Sequence, residues 1–119
     1  MSQTLLPSAD ESAEISVGQL KAILDSGDPP IRLVDCREED EWQLCRIEGA
    51  ALTPLSNFAD QISGWDVADL RAIIVYCHHG MRSLQATQFL RAKGHAQTFS
   101  LAGGIDAWST KIDPTVSRY

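Results

Sequence analysis

The sequence predicts an α/β fold, with a mostly parallel five-stranded central sheet and helices on both faces. The run Ala72–Tyr76 is apolar throughout and rich in β-branched residues, which is typical of a strand buried on both faces. Segments with strand-like and helix-like patterns alternate along the chain, and the connections between them are short. This alternation indicates parallel strands joined by helices that cover both sides of the sheet.

The first part of the chain is predicted to hold two strands with a helix between them. The strands are expected at residues 14–16 and 31–34. Ser16 and Gln19 have the spacing of a capping box at the start of the helix, and Gly27 is placed to end it. The apolar face of this helix is formed by Leu20, Ile23 and Leu24.

An acidic run at residues 38–41 is predicted to open the second helix. Carboxylates are favourable there because the N-terminus of a helix carries partial positive charge. Glu38, Glu39 and Asp40 are interpreted as solvated residues of this helix start.

The remaining elements continue the alternation of strands and helices. They are an edge strand at residues 50–55, a short helix at 56–62 with Phe58 and Ile62 on one face, the strand Ala72–Tyr76, a helix at 84–93, a strand at 97–101, and a helical segment at 105–108 after the turn Gly103-Gly104.

A cysteine follows the central strand in a short polar loop, residues 77–83, that leads into a helix. In open α/β sheets, ligands bind at this place, beyond the carboxyl ends of the strands. Backbone N–H groups in a tight loop and the N-terminus of the next helix both favour an anion. Gly80 permits a turn that other residues avoid, Arg82 adds a positive charge, and Ser83 is a possible N-cap unless the loop uses its hydroxyl. These features favour a reactive thiolate at Cys77 over a structural cysteine that merely ends a strand.

Three stretches together resemble the rhodanese (sulfurtransferase) family. Residues 77–83, Cys-His-His-Gly-Met-Arg-Ser, are similar to its active-site loop, Cys-Arg-x-Gly-x-Arg-Ser/Thr. Asp35-Cys36-Arg37, Glu41-Trp42 and Ile47-Glu48-Gly49-Ala50 resemble its Asp-x-Arg…Glu-aromatic…Gly-His-Ile-x-Gly-Ala signature. Residues 101–108 resemble its C-terminal Leu-x-Gly-Gly-x-x-x-Trp. The resemblance implies a rhodanese-like domain at residues 14–112, between a mobile N-terminal tail at 1–13 and a C-terminal tail at 113–119.

The resemblance also implies an activity and roles for individual residues. Cys77 is expected to accept sulfane sulfur from thiosulfate or a persulfide, and to hand it as a persulfide to a thiol, cyanide or protein acceptor. No cofactor and no metal are expected. Adjacent Cys77, His78 and His79 seldom converge on one ion, because zinc sites usually draw on spaced pairs of ligands. Donor-binding residues are expected to be His78, His79, Gly80, Met81, Arg82 and Ser83, with Asp35 and Arg37 in support.

Two other functions remain open at this point. One is a rhodanese-like module that relays sulfur to a partner, or regulates one, without multiple turnover. The other is a phosphatase or arsenate reductase. Loops of that kind place five residues between cysteine and arginine, whereas four separate Cys77 from Arg82, so the cradle is expected to be small for a tetrahedral oxyanion.

Several residues depart from the family pattern or invite a second interpretation. His78 stands where many thiosulfate-using members have arginine, which weakens the case for thiosulfate as the donor because imidazole carries less charge. Cys45-Arg46 replaces the Gly-His pair. Cys45 is interpreted as a bystander rather than a resolving thiol, and Cys36 as a packed residue. The Asp35 carboxylate is expected to bind loop N–H groups or Arg82.

Composition restricts the partners and the compartment. The net charge of −6 argues against nucleic acid and anionic membrane surfaces as partners. Three cysteines without a CxxC motif do not form a disulfide framework, and the N-terminus lacks the pattern of a signal peptide. A cytoplasmic location is therefore expected.

Overall fold

The computed structural model describes residues 6–119, and it confirms the predicted α/β fold. Five parallel strands lie in the order β1-β5-β4-β2-β3. The strands are β1 (Glu14–Ile15), β2 (Ile31–Asp35), β3 (Ala51–Leu52), β4 (Ala72–Tyr76) and β5 (Thr98–Leu101). The helices are α1 (Val17–Ser26), α2 (Glu39–Leu44), α3 (Phe58–Ile62), α4 (Met81–Ala92) and α5 (Gly104–Lys111), with a 3₁₀ turn at Leu55–Asn57 before α3.

The central strand β4 lies between β2 and β5 and is buried along its whole length. Its register places Asp35 of β2 beside Tyr76, and Ser100 of β5 beside Val75. Because all strands run in the same direction, the residues that follow these pairs meet at one edge of the sheet. That edge carries the residues of the candidate site.

The sheet separates two apolar cores. Ile74 and Tyr76 of β4 face one core and Ile73 and Val75 face the other, as expected from the alternation of side chains along a strand. Helices α1 and α5 cover the first face, and α3 and α4 cover the second. The helical residues in the first core include Leu20, Ile23, Ile105 and Trp108, and those in the second include Phe58, Ile62, Ala86 and Leu90.

Most local signals are confirmed. The side chains of Ser16 and Gln19 each bind the other's backbone N–H group, and Gly27 ends α1 in the left-handed conformation at φ 72°. Phe58 and Ile62 are buried on one face of α3. The prediction for Leu24 was wrong: it is 39% exposed, since α1 meets the core along its Leu20 and Ile23 side.

Several boundaries differ from the prediction, and two of these differences have a clear local cause. The edge strand predicted at residues 50–55 pairs with β2 only at Ala51 and Leu52. The next N–H group along β2, that of Arg37, binds the Asp35 side chain instead of continuing the ladder. Helix α4 begins at Met81 instead of residue 84. Gly80 is its N-cap at φ 108°, so the chain turns directly into the helix.

The segments outside the predicted domain make contacts with it. Residues 1–5 of the predicted N-terminal tail lie outside the described residues. In the part that is described, Leu6 is buried and Arg91 of α4 donates to the carbonyl oxygens of Ala9 and Ser12. At the other end, Tyr119 reaches the site described below. Between residues 6 and 119, no helix has both the length and the apolar character needed to cross a membrane.

Candidate active site

The Cys77 side chain is buried between the carboxyl end of β4 and the N-terminus of α4. Its Sγ accepts hydrogen bonds from the backbone N–H groups of Gly80 at 3.1 Å and Ser83 at 3.3 Å. The Ser83 hydroxyl lies 3.5 Å from the same sulfur and 2.7 Å from the Ser100 hydroxyl of β5. The loop therefore uses the Ser83 hydroxyl, which is the alternative to its role as an N-cap. These donors form a small cradle around the sulfur.

The pKa of the Cys77 thiol is lowered by this environment. The largest cause is a hydrogen bond with the Cys36 thiol, followed by the hydrogen bonds of the Ser83 hydroxyl and of the Ser83 and Gly80 N–H groups, while burial opposes them. The same contact with Cys77 and burial raise the pKa of Cys36. Ionisation of the pair is therefore favoured at Cys77, while Cys36 is favoured as the protonated thiol.

Helix α5 fixes the carbonyl groups of the same loop. Ile105 N donates to the carbonyl oxygen of Cys77 at 2.9 Å, and Asp106 N donates to that of His78 at 3.1 Å. The two loop carbonyls thus take the place of a side-chain cap at the start of α5. Gly104 is required at this contact, because a Cβ there would overlap the carbonyl oxygens of Cys77 and His78.

Arg82 does not point its charge at the sulfur. It makes a bidentate ion pair with Glu41 of α2, at 2.6 and 2.8 Å. The Arg82 guanidinium is the main reason that the pKa of Glu41 is lowered to about 2. Arg82 therefore ties the start of α4 to α2, and backbone N–H groups hold the sulfur.

Asp35 and Arg37 form a fully buried ion pair. Asp35 accepts hydrogen bonds from the Arg37 backbone N–H group and guanidinium at 2.7–3.1 Å. The expectation that Asp35 binds loop N–H groups or Arg82 is therefore corrected. A buried carboxylate needs a nearby positive charge, and Arg37, two residues further along, folds back to supply it. Arg37 also donates to the Cys45 carbonyl oxygen at 2.6 Å and the Tyr119 hydroxyl at 2.9 Å.

Aromatic rings line one side of the loop. The His78 ring stacks on Tyr119 at a centroid distance of 3.9 Å, and His79 stacks on the other side of His78, also at 3.9 Å. The Tyr119 hydroxyl donates to Glu41 at 2.6 Å. His78 Nε2 is buried and has no hydrogen-bond partner among residues 6–119.

The donor-binding residues expected from the sequence are therefore arranged unequally around Cys77. Gly80 and Ser83 contact the sulfur through their N–H groups, and the His78 ring stacks on Tyr119 and His79. The side chains of Met81 and His79 are 82% and 64% exposed.

Four residues of the site carried no role in the sequence-based interpretation. Glu41 was noted only as part of a motif, and Cys36 only as a packed residue. Their contacts follow from strand register and helix placement, which a single sequence does not state. Ser100 and Tyr119 had no local signal at all.

Comparisons with known proteins support this placement. The family model of the rhodanese-like domain matches residues 16–111. The thiosulfate sulfurtransferase GlpE of Shewanella oneidensis is 32% identical over 94 residues, which cover 79% of this chain and 89% of GlpE. The human single-domain sulfurtransferase TSTD1 superposes with a TM-score of 0.70 at 28% identity, covering 84% of this chain and 97% of its own.

One relative is a longer protein, and the match to this chain covers only part of its length. The Mycobacterium tuberculosis protein named probable adenylyltransferase/sulfurtransferase MoeZ is 33% identical over 120 residues. The match covers 93% of this chain, and the chain spans about 30% of the length of MoeZ. The family match, the strand order and the Cys77 loop agree, and the chain belongs to the rhodanese-like domain family.

Proposed function

We propose that this protein is a sulfurtransferase that accepts sulfane sulfur on Cys77 as a persulfide and passes it to a thiol, cyanide or protein acceptor. The observation that carries the proposal is the cradle of two backbone N–H groups around a buried sulfur with a lowered pKa. The thiolate is the nucleophilic form of cysteine, so the cradle keeps Cys77 ready for attack. The names of GlpE and TSTD1 support the same class of reaction.

The transfer divides into two steps. In the first, the Cys77 thiolate attacks the sulfane sulfur of the donor. A sulfur–sulfur bond forms, the donor's own bond to that sulfur breaks, and the donor leaves with the electron pair, as sulfite when the donor is thiosulfate. In the second, a nucleophilic acceptor attacks the outer sulfur and Cys77 leaves as a thiolate. Covalent catalysis of this kind replaces one difficult step by two easier ones.

The same groups stabilise the leaving thiolate in the second step. The N–H groups of Gly80 and Ser83 already point at Sγ and need no rearrangement. Preorganised donors of this type stabilise charge without a cost of reorientation. The Glu41–Arg82 pair and the contact of α5 hold the loop in that shape.

Mass spectrometry of the protein after incubation with thiosulfate, or with a small persulfide donor, tests the proposal. The expected product carries one extra sulfur atom on Cys77, and cyanide or a thiol removes it. Cys77→Ser should abolish the modification. Cys45→Ser is the matched control and should retain the modification, because Cys45 packs on the other face of the sheet from Cys77. Modification that persists in Cys77→Ser would contradict the assignment.

Turnover assays separate the proposed enzyme from the two alternatives. A catalyst forms many equivalents of thiocyanate from a sulfur donor and cyanide. A relay module is loaded with sulfur but turns over little without its partner. A phosphatase hydrolyses p-nitrophenyl phosphate, and hydrolysis that depends on Cys77 without any sulfur loading would overturn the proposal.

A further inference from the structure

Two cysteines occupy equivalent positions at the ends of neighbouring strands. Asp35 of β2 pairs with Tyr76 of β4, and each is followed by a cysteine, Cys36 and Cys77. The pairing continues past the strands, since Cys36 N donates to the Tyr76 carbonyl oxygen at 3.1 Å. Both thiols belong to the core on the second face of the sheet, together with Val34 and Val75. The two side chains therefore point to the same side.

The geometry suits a direct bond between these sulfurs. Neighbouring strands lie about 4.7–4.9 Å apart. Disulfides join residues whose Cα atoms are usually about 4.4–6.8 Å apart. Cys36 and Cys77 are 0% and 1% exposed, and both thiols lie in the same apolar core. The third cysteine, Cys45, is half-buried against the core on the first face of the sheet and is not part of this pair.

We propose that Cys36 is a resolving thiol for Cys77, and that the two form a reversible intramolecular disulfide when a peroxide oxidises Cys77. The disulfide is a second chemical state of the site, separate from the persulfide. It withdraws the Cys77 sulfur from the N–H groups of Gly80 and Ser83. The protein in this state cannot accept sulfur until a thiol reductant restores it.

The reaction balances in two steps. The Cys77 thiolate attacks one oxygen of the peroxide, the oxygen–oxygen bond breaks, and Cys77 becomes a sulfenic acid while hydroxide or alkoxide leaves. Cys36 then attacks the Cys77 sulfur and loses its proton. The sulfur–oxygen bond breaks, a disulfide forms, and water leaves. Each sulfur has lost one electron, and the peroxide has gained two.

The charge state of Cys77 decides when Cys36 reacts. While Cys77 is a thiolate, its hydrogen bond and its negative charge, together with burial, raise the pKa of Cys36. Cys36 is then a protonated donor and a poor nucleophile. Conversion of Cys77 to a neutral sulfenic acid removes that negative charge. The Cys36 thiol ionises more readily just when an electrophilic sulfur is next to it.

The rapid formation of a disulfide would also protect Cys77. A sulfenic acid that is not trapped is oxidised further to sulfinic acid, which thiols do not reduce. Burial of Cys36 beside the sulfur gives it an advantage over thiols in solution, since the attack is intramolecular.

The test uses the full chain, fully reduced and then treated with hydrogen peroxide in the absence of any sulfur donor. Free thiols are alkylated under denaturing conditions and counted by mass spectrometry, and peptides are mapped without reduction. In the parent protein the count of free thiols should fall from three to one. The map should show Cys36 joined to Cys77 and Cys45 alkylated, and dithiothreitol should restore all three thiols.

Two variants sharpen the result. Cys45→Ser should form the same disulfide. Cys36→Ser keeps a hydrogen-bond donor of similar size, and its Cys77 should proceed to sulfinic acid at peroxide levels that leave the parent reducible. If the parent itself accumulates sulfinic acid on Cys77, or joins Cys77 to Cys45, the proposal is wrong. Because no sulfur donor is present, this outcome is independent of the sulfurtransferase assay.

Discussion

At the scale of single residues, reactivity depends on which buried charges have partners. N–H and hydroxyl groups surround the Cys77 sulfur and lower the pKa of its thiol, and no positive side chain contacts this sulfur in the described part of the chain. The two nearby arginines are each paired with a carboxylate, Arg37 with Asp35 and Arg82 with Glu41. A loop inside an acidic protein can thus favour a thiolate without a free cation, through neighbouring thiol and hydroxyl groups and oriented backbone N–H groups.

Replacement of Ser83 by alanine should raise the pKa of Cys77. The hydroxyl of Ser83 is one of the groups that lower this pKa, so its loss destabilises the thiolate relative to the thiol. A hydrogen bond to a charged group is worth about 1.5–3 kcal/mol, which corresponds to a rise of about one to two pKa units. The rate of alkylation by iodoacetamide, measured against pH, reports the change. Ser109→Ala, a buried serine bonded to Val116, is the control and should leave the profile in place.

Loss of the Glu41 carboxylate should change how stability depends on pH. The pKa of Glu41 is lowered from 4.5 to about 2, chiefly by Arg82. A carboxyl group of this kind stabilises the folded state above its unfolded pKa and loses that contribution as pH falls through the folded pKa. Glu41→Gln should therefore lower the free energy of unfolding by about 1 kcal/mol near neutral pH. The difference in this free energy between variant and parent should shrink as the pH falls from 4.5 to about 2.

Urea unfolding at a series of pH values measures this difference. Glu39→Gln removes a carboxylate from the same helix, where it binds the Gln43 side chain, and is the control for loss of charge. If the free energies of unfolding of Glu41→Gln and the parent differ by the same amount over the whole acid range, the ion pair is not the cause of the difference.

At the scale of elements, the site is the meeting point of one strand and two helix N-termini. β4 delivers Cys77, the start of α4 supplies the N–H groups that face the sulfur, and α5 binds the carbonyl groups of Cys77 and His78 in the same loop. Both sides of the loop backbone are therefore satisfied, as buried backbone groups require. The loop shape depends on α5 as much as on the helix that follows it.

A pair of glycine substitutions separates the helix contact from backbone strain. Gly27 and Gly104 both adopt positive φ, at 72° and 61°, but a Cβ at Gly27 meets nothing within 4 Å. Gly27→Ala should cost only the left-handed conformation, about 1–2 kcal/mol. Gly104→Ala should lower the free energy of unfolding by clearly more than this, because the added methyl group pushes α5 away from the Cys77 and His78 carbonyls.

The same variants should differ in the reactivity of the thiol. Gly104→Ala should slow alkylation of Cys77 near neutral pH, whereas Gly27→Ala should not affect it. Urea unfolding and alkylation kinetics on both proteins provide the comparison. Equal losses of stability, with unchanged Cys77 reactivity in both, would mean that α5 does not shape the loop.

Elements with local signals could be predicted from the sequence, and elements set by their neighbours could not. β4 and the capping box of α1 were predicted correctly, because an apolar run and a capping box depend on residues that are close together in the sequence. The short β3 and the early start of α4 depend on sheet pairing and on the φ of Gly80. In the site, the Cys77 loop follows from its motif, but the partner of Asp35 and the position of Tyr119 follow from tertiary packing.

At the scale of the whole molecule, the sheet keeps two buried polar arrangements apart. The Asp35–Arg37 pair lies on the face of Tyr76, where the guanidinium is 5.6 Å from the tyrosine ring. The Cys36–Cys77 pair lies on the opposite face, among Val34 and Val75. The carboxylate oxygen atoms of the ion pair therefore lie on the other face of the sheet from the Cys77 sulfur.

One arginine makes several of the contacts that attach the first described residues to this body. Arg91 donates to the carbonyl oxygens of Thr98, Ala9 and Ser12 with three different nitrogens. Arg91→Lys keeps the charge but loses this fork of donors. Amide hydrogen exchange should therefore speed up at residues 9–14, next to the edge strand β1.

Hydrogen exchange read by mass spectrometry would measure this effect. Arg71→Lys, which alters an exposed pair with Asp69, is the matched control and should leave that segment unchanged. Identical exchange at residues 9–14 in both variants would show that Arg91 does not hold the segment in place.

The dependence of the loop on α5 has a consequence for how the protein is made. Synthesis proceeds from the N-terminus, so Cys77 leaves the ribosome before β5 and α5 exist. Until Gly104 and the N–H groups after it arrive, the carbonyls of Cys77 and His78 lack their partners. We expect the nascent thiol to keep the ordinary acidity of a free cysteine and to become strongly nucleophilic only when the final helix docks. An electrophile would then react with Cys77 of an incompletely synthesised chain no faster than with a free cysteine. Fast reaction would occur only in fully synthesised and folded molecules.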